Sequence, residues 1–200
     1  MSARPYRRFS IFGATAAAAF ALAGCFSFGG KTPDFLLNLT STSVVEAGAT
    51  RSGSADTGLT VLTPEIPQRL STTRVPVQAN DVLVAYVEGA QWVDTPQRLF
   101  RRLLSETIAA KTGRLVLDEG QTVTSPGTRL AGELIEFDVD APALQVVVTY
   151  DASLVQGDNV EKRRFQATQP IAAVEANAVG AALNVAANQV AADVAGWLNR

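Results

Sequence analysis

The chain has 200 residues, 17 of them Lys or Arg against 19 Asp or Glu, and no histidine. That near-balance excludes the dense basic face that nucleic acid demands. With no histidine the commonest general base and metal ligand is missing, and a single cysteine, Cys25, leaves no partner for a disulfide.

Arg4, Arg7 and Arg8 form a positive n-region, and residues 11–24 form an apolar run too short to span a bilayer as a stable helix. Leu22-Ala23-Gly24-Cys25 closes that run. The small residues Ala23 and Gly24 admit a peptidase to the backbone, and the thiol that follows can be acylated, so the four residues read as the lipobox of a bacterial lipoprotein. Cleavage between Gly24 and Cys25 would make Cys25 the first mature residue, carrying covalent lipid and no other cofactor. Phe9 directly after Arg7-Arg8 is out of step with the twin-arginine signal, so general secretory export is expected. Loss of residues 1–24 leaves 14 basic against 19 acidic residues, a net charge of −5.

The expected organisation is a signal peptide at 1–24, a lipidated tether at 25–33 and one domain at 34–200. The tether holds Gly29, Gly30 and Pro33. Phe26, and not aspartate, follows the cysteine, which removes the enteric inner-membrane retention signal and points to the periplasmic face of the outer membrane. Several acyl chains on one cysteine would hold the domain at that surface, where a single chain binds only marginally.

Within the domain, alternation of Phe35, Leu37 and Leu39 predicts a strand over 34–40. Residues 41–58, rich in Ser, Thr, Gly and Ala without period, read as a mobile loop outside the core. Strands follow at 59–63, 73–78 and 82–87, with Pro76 confining the second of these to an edge or a bulge. Thr95 as N-cap and Pro96 at the first helical position start an amphipathic helix. Leu99, Phe100, Leu103, Leu104, Thr107 and Ile108 form its apolar face, and Gly113 closes it.

A short strand at 114–118 precedes three long ones at 128–140, 143–154 and 160–168, joined by tight turns into an antiparallel meander. In the first of these, Ile135, Phe137 and Val139 are expected inward and Glu136, Asp138 and Asp140 outward. After Pro170, residues 174–198 form an alanine-rich helix with Val179, Leu183, Ala186, Val190, Val194 and Trp197 on one side, and Asn177, Asn184, Asn188 and Asp193 on the other. The fold class is therefore α+β: a two-layer sandwich with a twisted, mostly antiparallel sheet and two long helices on one face.

Phe35-Leu36-Leu37 near the start, and Trp92-Val93-Asp94-Thr95-Pro96-Gln97-Arg98-Leu99-Phe100 in the middle, resemble the auxiliary lipoproteins of ABC-type transport systems. The resemblance implies a non-catalytic role beside a membrane permease, a cytoplasmic ATPase and a substrate-binding protein of the mammalian-cell-entry type that moves lipid across the periplasm. No Gly-rich phosphate loop with Lys and Ser or Thr is present, in keeping with an auxiliary part. A second reading, from the shared two-helices-on-a-sheet design, is an envelope-assembly lipoprotein supporting an outer-membrane barrel. An enzyme is opposed by the want of histidine and of a free thiol.

Beyond Cys25 the candidate residues are fewer. Arg101 and Arg102, with Lys162-Arg163-Arg164, suit anionic headgroups or an acidic partner, or simply a solvated face. Trp92 and Trp197 suit a partner interface or the core. Asp138-Val139-Asp140 with Glu133 and Glu136 could bind a hard cation, against the simpler reading of a wet strand face. Self-association through the apolar side of the last helix stays open.

Overall fold

The computed structural model describes residues 34–54, 57–121 and 127–200. The expected signal peptide and tether, with Gly24 and Cys25, lie outside the described residues.

The fold is organised around one long strand. Among the described residues the strands and α-helices run in the order β1 (Leu59–Val61), β2 (Arg74–Gln78), β3 (Val84–Gln91), α1 (Pro96–Thr112), β4 (Val116–Leu117), β5 (Thr128–Asp140), β6 (Gln145–Gln156), β7 (Asn159–Pro170) and α2 (Ala176–Leu198). β5, β6 and β7 form the antiparallel meander. Along its other edge β5 takes two short parallel partners, β1 at Thr128–Leu130 and β2 at Val139–Asp140. β4 pairs beyond β1 and β3 beyond β2, so the sheet is mixed, with the antiparallel pairs contributing most of its length.

The gap between β1 and β2 is closed without a strand. Glu65 bridges Glu133, and a 3-10 turn at Gln68–Leu70 then lays Arg69 over the open edge of β5. Its guanidinium donates to the Ile135 carbonyl at 2.7 Å and to Asp138 Oδ2 at 2.9 Å. Every backbone group withdrawn from water needs such a partner.

Ile135 needs this help because it is a β-bulge: Leu134 pairs with Tyr150 and Glu136 with Thr149, leaving Ile135 opposite nothing. The bulge shifts the inward set by one residue, from Leu130 and Leu134 to Phe137 and Val139. Simple alternation over 135–140 therefore fails twice. Ile135 is only half-buried, and Asp138, expected in water, is 5% exposed beneath Arg69. Pro76 also falls at a register shift, between Arg74 and Tyr86's partner position; the strand that holds it is interior to the sheet, so the bulge and not the edge accommodates its missing N–H.

Both helices cover the face that carries Phe137, Val148, Tyr150 and Phe165. The Phe100 ring of α1 stands edge-on to Phe137 and Tyr150 at 6.5 and 5.3 Å. Trp197 of α2 meets Phe165 at 5.6 Å. The six apolar-face positions expected of α1 are all buried, as are Val179, Leu183, Ala186, Ala187, Val190, Ala191 and Val194 of α2. Gly113 closes α1 at φ 70°, a left-handed conformation open to glycine. Thr95 is the N-cap by position, but its hydroxyl makes no capping bond; the Asp94 carboxylate accepts from the Thr95 amide instead, at 2.7 Å.

Residues 34–40 do not form a strand. Only Leu37 bridges, to Trp92, and its side chain presses on Gly180 of α2, where a Cβ would lie 2.5 Å from Leu37 Cδ2. Nor does the stretch after it float outside the core. Asn184 Oδ1 accepts from the Thr40 amide and Asn188 Oδ1 from that of Thr42, while Glu106 of α1 accepts from Val45. The segment is irregular because side chains of the helices, not a neighbouring strand, satisfy its backbone.

Candidate functional site

The outer face of α1 carries the arginines singled out from the sequence. Arg101 and Arg102 are adjacent on the helix yet differently placed. Arg101 is mostly covered and pairs with Asp118 at 2.6 Å, which ties α1 to the chain after β4. Arg102 is 58% exposed and bonds Asp94 Oδ2 at 3.0 Å; Arg98, 68% exposed, approaches the same carboxylate at 3.9 Å. Two guanidinium groups thus share the Asp94 carboxylate at the helix start, with Asp118 and Glu119 close by. Exposed pairs of this kind are each worth about 0–1 kcal/mol, so they add little to stability.

A groove of about 520 Å³ runs beside them, between α1 and the segment at 38–44, lined by Arg101, Arg102, Glu106 and Asp118 among others.

The sheet face away from the helices is a ladder of polar side chains. Thr149 donates to Glu136, and Gln166 donates to both Glu136 and Thr149. Asp151 is held well below the usual carboxylate range by its bidentate partner Arg164, at 2.6 and 2.7 Å. Burial pushes Asp138 up to about 6, against the pull of Arg69 and with help from Glu136 and Asp140. A second groove, of about 600 Å³, opens here along Glu65, Glu133, Asp151, Lys162 and Arg164. Of the carboxylates considered for a cation, Asp138 is engaged by Arg69, Glu136 by Thr149 and Gln166, and Asp140 by the Ala143 amide, and among the described residues no three acidic, His or Cys side chains converge on a metal position.

The two tryptophans belong to the core. Trp92 is 1% exposed and tilts onto Phe137 at 5.3 Å, so it presents no surface to a partner. Trp197 is nearly as covered, with its Nε1 donating to Glu161 at 2.8 Å. Arg101 and Arg102 stay together on α1; Trp92 and Trp197 join neither them nor each other. Asn184, Asn188 and Arg69, which organise the loop and the open sheet edge, had no special signal in the sequence beyond being polar.

The model of the family described as ABC-type transport auxiliary lipoprotein component matches residues 38–195. The chain belongs to this family. The match covers the whole of the domain from the segment on α2 to the last turn of that helix, so the arginine face, the polar sheet face and the buried Trp92 all lie inside it. Among curated proteins nothing matches. Two crystal structures share the fold. One is a protein from Xanthomonas campestris, 18% identical with a TM-score of 0.66 over 82% of this chain and 95% of that one. The other is an uncharacterized protein, 15% identical with a TM-score of 0.64 over 82% of this chain and 99% of its own. At these identities they establish the α+β architecture of the family domain and no more. As an auxiliary lipoprotein component, the family member works in the cell envelope with an ABC-type transport system.

Proposed function

We propose that this auxiliary lipoprotein is anchored by lipid on Cys25 to the periplasmic face of the outer membrane and is the non-catalytic, receiving end of a lipid-transport system of the mammalian-cell-entry type. The observation that carries the reading is the pairing of a family-wide match at 38–195 with a lipobox placed just ahead of it, at Leu22-Ala23-Gly24-Cys25. What the domain offers such a system is a surface. Arg98 and Arg102, with one carboxylate between them, suit an acidic segment of the substrate-binding protein. The groove beside them gives that segment a bed.

Crosslinking in intact cells, followed by mass spectrometry of what travels with the lipidated protein, tests the assignment. Recovery of a mammalian-cell-entry protein or a permease supports it. Recovery of an outer-membrane barrel alone would replace it with an envelope-assembly role. The anchor has its own test: Cys25→Ala should release the protein into the soluble periplasmic fraction, and undiminished retention at the outer membrane would defeat the lipid reading.

A further inference from the structure

Large apolar side chains left in water are unevenly distributed over this domain. Of the eleven exposed among the described residues, Phe35, Leu36, Val82, Leu83, Val84, Leu144 and Val174 come from four separate stretches of chain. The topology brings the last three of those stretches to one end. Val84 pairs with Gln78, Gln78 with Asp140 and Asp140 with Gln145, which sets the β2–β3 hairpin tip beside the β5–β6 turn. The Ile171 amide donates to the Leu144 carbonyl, which adds the turn that leads to Val174 and into α2. Leu37, which also bridges Trp92 past the far end of β3, meets Gly180, and Thr40 and Thr42 meet Asn184 and Asn188, so the chain runs parallel to α2 and joins the fold, at Phe35 and Leu36, on the flank of the domain beside the first turns of that helix.

These side chains are held outward by formed turns. Asn80 Oδ1 accepts from the amides of Val82 and Leu83, both at 3.0 Å, and the Ala79 amide closes the tip onto the Leu83 carbonyl. Val82 is 84% exposed. Leu144 takes φ 48°, a left-handed conformation that disfavours a side chain and that Asn or Gly would fill more comfortably. Patches of this kind on a monomer mark a surface meant to be covered.

We propose that this end of the domain rests on the bilayer, with Val82, Leu83, Val84 and Leu144 dipping into the interface between headgroups and acyl chains. The proposal rests on the lipid-anchor reading of Cys25. Nine residues, 25–33, separate that cysteine from Asp34, and fully extended they reach no more than about 30 Å. The anchor therefore keeps the first turns of α2 close to the membrane, and the apolar end lies just beyond them, where the chain entering α2 meets Leu144 at Ile171. The stretches 34–36, 78–84, 140–145 and 171–176 contain no Lys or Arg, while Asp34, Asp81, Asp140 and Glu175 lie among them. The contact is accordingly made by apolar burial without attraction to anionic headgroups, at a depth of roughly 5–10 Å.

The test uses the full lipidated protein carrying Leu83→Cys, labelled with an environment-sensitive fluorophore; acylated Cys25 takes no label. Floated with phosphatidylcholine vesicles that contain a shallow nitroxide lipid, the label should shift to the blue and be quenched. The same label at Asp158→Cys, in the turn at the far end of the meander, should do neither. Replacing part of the phosphatidylcholine by phosphatidylglycerol should weaken the quenching. Labelling at Leu144→Cys repeats the measurement at an independent site. Protein that fails to float defeats the anchor and this contact with it. Protein that floats with an unquenched label at both sites overturns the contact alone. A label shielded from aqueous iodide yet untouched by the nitroxide lipid would show a second protein covering this end, which also overturns it.

Discussion

Gly132 shows how tightly one residue can be specified. It lies on the inward face of β5 between Leu130 and Leu134, and the Tyr150 ring occupies the space a side chain would fill. A Cβ there would stand 2.2 Å from the Asp151 carbonyl and 2.7 Å from the ring. The backbone oxygen cannot yield as a flexible side chain would, so Gly132→Ala should cost more than about 2 kcal/mol in urea unfolding. Tyr150 is held in place from its other end, where its hydroxyl donates to the Ala131 carbonyl at 2.9 Å, and burial pushes its ionisation up. Asp138 makes a second prediction. Desolvation raises it to about 6 in the folded chain from an ordinary value of 3.8, so the folded state binds the extra proton between about pH 4 and 6. Stability should therefore fall as pH rises through that window, by about 2 to 3 kcal/mol, and level off above it. Asp138→Asn keeps the shape and should remove this slope in unfolding curves taken at pH 4.5 and 7; an unchanged slope would show that another group sets it.

At the scale of the elements, the segment at 40–45 is the part most dependent on single side chains. Asn188, buried on α2, donates to the Thr40 and Asn184 carbonyls and accepts from the Thr42 amide and hydroxyl. Its apolar neighbours cannot replace those bonds. Asn188→Ala should cost about 1–3 kcal/mol, the desolvation of partners left unpaired. Hydrogen exchange should localise the change, with Thr40 and Thr42 amides losing protection while β5 and β6 keep theirs. Uniform loss across the sheet would mean that the segment and the core unfold as one unit. The same reasoning explains why a helix can carry asparagine on a side that period alone would assign to water: the residue faces another stretch of chain, not solvent.

For the whole molecule, the two layers divide the labour. The helix-covered face is sealed by aromatic contacts among Trp92, Phe100, Phe137 and Tyr150. The opposite sheet face, Arg98 and Arg102 of α1 and the apolar end stay at the surface. Under the proposed role these are the surfaces that would meet partner and membrane, with the sealed core keeping them in fixed relation.

Much of this was legible in the residues. The helix faces, the meander and the close of α1 at Gly113 follow from local periodicity and turn chemistry, which neighbouring residues supply to one another. The family pattern around Trp92 to Phe100 is equally local, and so is the proposed lipobox, which rests on four consecutive residues after an apolar run. What only the tertiary structure decided was everything set by partners distant in the chain. Asp138 is buried because Arg69, sixty-nine residues earlier, covers it. The bulge at Ile135 takes its place from the register with β6. Thr40 and Thr42 are held by a helix more than a hundred positions on. The apolar end exists because three turns meet there. In each case the sequence holds the side chains, and the energy that places them comes from groups that folding alone brings into reach.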